Sequence, residues 1–208
     1  MSNSFLCRLL AVPFFGVLFL GCATGSGSIP FSDPSFNAST AKIALLPPRY
    51  ALGSPTGIVI GAERKFGSII FSTLIERTNS QWLSPDEGVS KIQDANVLPE
   101  YEALLDGYQK TGIPSRDRLA KISNAVGSPY VALCTINYYV SGILGMSDYR
   151  VASLTLQVLS AQSGQVILEI SGKANCGSGG YDIGEDKLLK LTADEAINYY
   201  PNAKPAKN

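Results

Sequence analysis

YRVASLTLQVLSAQSGQVILEISGK, residues 149–173, decides the fold. Ala152, Leu154, Leu156 and Val158 alternate with Ser153, Thr155 and Gln157. Such a period of two is what a half-buried strand requires. Gln162-Ser163-Gly164-Gln165 then reverses the chain. Beyond it Val166, Leu168 and Ile170 point inward, with Glu169, Ser171 and Lys173 outward. Upstream, Pro129 to Val140 is a third strand, so the three predict an antiparallel meander.

Working outward, Lys42 to Pro47 is a short apolar run stopped by Pro47-Pro48 and reads as a buried strand. Phe66, Ile70 and Leu74 recur every four residues, which predicts a helix from about Ala62 to Asn79. Trp82-Leu83 is a short strand, and helices follow from Asp86 and from Glu100. Ser115 is placed to cap a helix that Gly127 ends. Glu185 to Tyr200 is a closing helix, stopped by Pro201. The expected fold is α/β of the α+β kind: a small, mostly antiparallel sheet with a three-strand carboxyl-terminal meander and helices packed on one face. It occupies one domain over residues 42–200, with 201–208 a disordered tail.

The amino terminus has a different character. Residues 9–20 are apolar throughout and follow Arg8. Twelve helical residues reach only about 18 Å, against about 30 Å for a bilayer core, so the run reads as a signal segment over residues 1–21. Phe19-Leu20-Gly21-Cys22 resembles the lipobox of bacterial lipoproteins. That resemblance implies an acylated Cys22 and attachment to a membrane through its lipid. Ala23 stands where an aspartate would resemble an inner-membrane retention signal, which implies the outer membrane, with the domain facing the periplasm. Residues 22–41 are rich in Gly, Ser and Pro and read as a lipidated, flexible tether.

Composition excludes several function classes. Seventeen basic residues balance seventeen acidic ones, so no field favours nucleic acid. There is no histidine, which removes imidazole-dependent triads and the commonest metal ligand. Gly177-Ser178-Gly179-Gly180 lacks the Gly-Lys-Ser/Thr of a phosphate loop. No catalytic residue, metal site or cofactor is expected. Cys134 and Cys176 share inward parity, but a strand should lie between theirs. Strands two apart are about 9.6 Å apart, beyond the roughly 7 Å that a disulfide spans, so both read as buried apolar residues.

Three short stretches carry a further resemblance: Ile43-Ala44-Leu45-Leu46-Pro47, Ala125-Val126-Gly127-Ser128-Pro129-Tyr130-Val131 and Ser163-Gly164-Gln165-Val166-Ile167. Together they resemble the envelope lipoprotein domain shared by the TolB amino-terminal domain, LpoB and CsgG, over roughly residues 42–175. The resemblance implies a non-enzymatic module that binds or assembles with an envelope protein, homo-oligomers included. The alternative it implies is a subunit of a CsgG-like outer-membrane secretion assembly. Asn137, Tyr139, Tyr149 and Gln157 fall on the outward parity of the meander and are the candidate partner-binding residues. Tyrosine offers a large contact area at low entropic cost.

The anchor is directly testable. Fatty-acid labelling of the expressed chain should be abolished by Cys22→Ser. A labelled Cys22→Ser chain, or an unmodified mature terminus that begins elsewhere, would refute it.

Overall fold

The computed structural model describes residues 24–51, 62–141, 149–176 and 184–206. The signal segment and Cys22 lie outside these residues. In chain order the elements are β1 (Thr24–Ser32), β2 (Lys42–Leu45), β3 (Arg49–Tyr50), α1 (Ala62–Arg77), β4 (Gln81–Leu83), α2 (Pro85–Asp94), α3 (Leu98–Thr111), α4 (Arg116–Val126), β5 (Tyr130–Ser141), β6 (Tyr149–Ser160), β7 (Gln165–Cys176) and α5 (Glu185–Ile197). The sheet order is β1-β7-β6-β5-β2-β4, with β3 beside β5. β5, β6 and β7 form the antiparallel meander, and β2 pairs in parallel with both β4 and β5. The expected mixed α/β class therefore holds.

Local chemistry sets the ends of these elements. Ser84 caps α2 in a reciprocal box with Glu87, whose carboxyl is held below its ordinary pKa by the Ser84 hydrogen bonds. Gly127 ends α4 at φ 66°, and Gly164 takes φ 73° in the β6–β7 turn, both in the left-handed region that favours glycine. Ser115 does stand at the start of α4, but its side chain makes no cap bond.

Both faces of the sheet are covered, not one. Phe66, Ile70 and Leu74 of α1 and Leu188, Leu189 and Ala193 of α5 bury against Ile43, Leu45, Ala132, Ile136, Leu156 and Ile170. Residues of the other parity, Ala44, Leu46, Val131, Leu133 and Leu159, pack under Ile92, Leu104, Leu105, Leu119 and Ile122 of α2, α3 and α4. The physical reason lies in β2 and the first part of β5. They are apolar at successive positions, as strands buried on both faces must be.

Two expectations about the chain ends are corrected. The stretch read as a tether is ordered: Thr24 to Ser32 is an edge strand antiparallel to β7, and Ala38–Thr40 is a short 3-10 turn. The glycines that suggested a linker serve a close approach instead. Gly27 stands opposite Gly172. A Cβ on Gly172 would run into the backbone of Thr192 and Ala196, and one on Gly27 into the Glu195 carbonyl, so α5 lies directly on the strands. The tail expected to be disordered from residue 201 is held as far as Lys204. Arg77, only 2% exposed, donates to the Lys204 carbonyl at 2.9 Å, to Asp194 Oδ1 at 3.0 Å and to Asn198 Oδ1 at 2.5 Å. A buried cation demands such partners, and the tail carbonyl is one of them.

Gly172→Ala should therefore lower stability by about 1–3 kcal/mol, the usual range for overpacking against atoms that cannot move aside. A denaturation midpoint unchanged from the parent would contradict the packing described.

Candidate docking face and anchor end

The meander turns alternate residues to two environments. Toward α1 and α5 lie Cys134, Tyr138 and Cys176, all buried. The thiols of Cys134 and Cys176 are free, as the intervening β6 requires, and burial pushes the Cys134 thiol well above its ordinary pKa. The other face carries rows of residues in register. One row is Asn137, Ser153, Lys173 and Ser26, and the next is Thr135, Thr155, Ser171 and Ser28. Ser28 and Ser171 hydroxyls are hydrogen-bonded at 2.7 Å. Between these rows runs a shallow groove of about 350 Å³, lined by Ser26, Ser28, Ser153, Thr155, Ser171 and Lys173.

One row nearer the α2–α4 layer, the face is closed. Tyr108 of α3 donates to Gln157 Oε1 at 2.9 Å, and Gln157 Nε2 donates to Glu169 Oε2 at 2.8 Å. Burial first, then the Glu169 charge, pushes the Tyr108 phenol up to about 12. Gln157, a candidate contact residue from sequence, is thus engaged at both ends of its amide inside the protein. Asn137 sits half-buried in the row with Ser153 and Lys173. Tyr139 pairs with Val151 and Tyr149 with Ser141, at the far end of the β5–β6 ladder from Gln157. Their side chains lie outside the described residues. The structure thus leaves Asn137 near the groove and separates Gln157 from it.

Sequence reasoning missed Ser26 and Ser28, because they lay in the stretch read as a tether. The signal was present: Thr24-Gly25-Ser26-Gly27-Ser28 alternates hydroxyl and glycine with period two. Lys173 supplies the cation of the groove, but only the β1 pairing shows that it has a wall.

A second cleft, of about 590 Å³, opens beyond the ends of β2 and β4 between α1 and α2. Pro47, Pro48, Glu63, Phe71 and Pro85 are among its lining residues. Among the described residues no group of three or more His, Cys, Asp or Glu is placed to hold a metal ion, and no helix is long and apolar enough to cross a membrane.

No protein-family model matches the chain, and no curated protein is similar to it in sequence. Several solved structures match it in structure. The PelC dodecamer from Paraburkholderia phytofirmans has a TM-score of 0.48 at 13% identity, over 85% of this chain and 95% of that one. Lipoprotein GNA1162 from Neisseria meningitidis has 0.47 at 14%, over 76% and 96%. The LpoB carboxyl-terminal domain from Salmonella enterica has 0.38 at 15%, over 68% and 86%. At such identities no residue role carries across.

Two buried phenols and one half-buried phenol give a pH test of this packing. Tyr101, Tyr108 and Tyr200 are each raised to about 12, chiefly by burial. The unfolded chain releases these protons near pH 10 and the folded chain near 12. Between those values the folded state holds more protons, so stability should fall as pH rises through this window. Tyr108→Phe should make the decline shallower. A midpoint flat from pH 10 to 12 would contradict the burial of these rings.

Proposed function

We propose that this chain is a lipid-anchored lipoprotein of the bacterial envelope, held at the outer membrane through Cys22 with its domain in the periplasm. There it acts as a non-enzymatic binding or assembly module for another envelope protein. The observation that carries the reading is the meander's outer face. Helices α2–α4 close one end of it, and beyond Tyr108 the face presents small hydroxyl side chains, Asn137 and Lys173 on a rigid three-strand frame. A preformed sheet face presents a partner with groups that need little ordering on contact. The absence of histidine from the chain and the lack of a nucleophile motif support a role without catalysis.

Tyr139 and Tyr149 remain the proposed partner contacts. Both stand on ladder positions at the hairpin end of the same strands. Capture of an envelope protein by the mature lipoprotein should weaken about 30-fold when both are replaced by alanine, the size of an interface anchor worth about 2 kcal/mol. The variant's unfolding midpoint, measured alongside, establishes that it is folded. Full capture by a folded double variant would move the interface off the hairpin. A native mass that changes with the same pair of substitutions would identify the partner as a second copy of this chain.

A further inference from the structure

Sheet edges are where a chain most readily gains another strand, and proteins blunt them with charge, proline or a bulge. β1 ends the sheet order, and among the described residues no strand lies on its far side. Its second half carries two of these devices: the register slips between Ser28 and Phe31, and Pro30 lies in the slip. The half from Thr24 to Ser28 carries none. Residues 24–32 hold no charge, and every one but Gly27 is exposed.

The direction of the backbone there follows from the ladders. Ala161 donates to the Pro129 carbonyl, so odd-numbered residues of β6 turn their backbone to β5 and even-numbered ones to β7. Ala152, Leu154 and Leu156 therefore bond Ala174, Gly172 and Ile170, which leaves the backbone of Ser171, Lys173 and Asn175 for β1. Their partners Ser28, Ser26 and Thr24 turn N–H and C=O toward β7, and Gly25 and Gly27 turn theirs to the open edge. Neither glycine has a side chain to shield those groups. Close by, Ile29 is 42% exposed and Phe31 47%. Tyr199 of α5, 40% exposed, comes within 2.7 Å of where a Gly27 Cβ would stand.

We propose that the Thr24–Ile29 edge of β1 pairs with the same strand of a second copy, antiparallel about a twofold axis at Gly27. On that axis the two Gly27 residues exchange both backbone bonds, as antiparallel partners do. The strand is its own complement. Ile29 of each copy falls opposite Gly25 of the other, so an exposed aliphatic side chain covers a bare glycine. Ser26 falls opposite Ser28, so no charge meets its like. A charged edge would select a partner of opposite sign. This one selects by backbone and shape, which a second copy satisfies. The joined sheets leave the outer face of each meander open, so the self-pairing goes beyond the docking reading above and depends neither on it nor on the lipid.

Cysteines test the register, because antiparallel partners that are not hydrogen-bonded bring their Cα atoms to about 4.5 Å, within disulfide reach. The full chain, purified in detergent, is prepared as Ser26→Cys and as Ser28→Cys. Mixed, left to exchange and mildly oxidised, the two should form at least about tenfold more covalent dimer than either alone, since identical positions lie on a diagonal about 7–8 Å long. The parent chain, whose Cys134 and Cys176 are buried, sets the background. In native mass spectrometry the parent should be dimeric. Ser26→Lys with Ser28→Lys should weaken association by about tenfold or more at an unchanged unfolding midpoint, because facing lysines repel. A monomeric parent, equal cross-linking in mixed and single samples, or a dimer that survives both lysines overturns the pairing. So does a dimer lost in the folded Tyr139→Ala/Tyr149→Ala variant, which would assign the contact to the hairpin. Cysteines that cross-link instead to a different protein give the edge to that chain and overturn self-pairing.

Discussion

The contact of α5 with the bare backbone of β7 and β1 is the constraint on which the rest depends. Gly172 and Gly27 face each other across the ladder, and the Thr192, Glu195 and Ala196 backbone sits over them. A side chain at either glycine would lift the helix. The lift would withdraw Leu188, Leu189 and Ala193 from the core they share with α1 and the meander. It would also remove the support under β1, an edge strand whose hydroxyl and glycine residues bring little apolar area of their own. The position of Thr24 at the start of the edge strand follows from two missing methyl groups.

In the same turns of α5 a second problem is charge. Arg77 is buried where α1 and α5 end together, and the side chains of Asp194 and Asn198 and the carbonyl of Lys204 surround it. A cation at the carboxyl ends of two helices meets their exposed carbonyls favourably. Lys190 shares Asp194 from the exposed side, at 2.8 Å. The network converts an apparently dispensable tail into a ligand for a buried guanidinium. Glycine contacts and the arginine network together hold the carboxyl-terminal half of α5, from Thr192 to Asn198.

The sheet's two faces have different tasks because its strands have different neighbours. Ile43–Leu45 of β2 and Val131–Cys134 of β5 are apolar at successive positions and carry helices on both sides. Further along β5 and on β6 and β7, one parity turns to serine, threonine, asparagine and lysine, and the α2–α4 layer stops at the Tyr108–Gln157–Glu169 chain of hydrogen bonds. That boundary separates structural sheet from presented sheet. It leaves the presented part at the end where β1 begins.

What the sequence determined by itself was everything local. The period-two runs of the meander, the Phe66-Ile70-Leu74 stripe and the Gly127 and Gly164 turns were all legible, because each depends on residues a few positions apart. So was the burial of Cys134 and Cys176 without a bridge, which follows from strand order and spacing. Only the tertiary structure decided the rest. Gly25 and Gly27 read as linker because glycine's lack of a side chain means flexibility when nothing lies above it and close packing when a helix does, and that helix is about 170 residues away. Gln157 read as a free contact until Tyr108 was brought over it. Residues 201–204 read as a loose tail until Arg77 needed an acceptor. In each case the deciding partner is remote in sequence, and a residue's own identity does not reveal whether such a partner arrives.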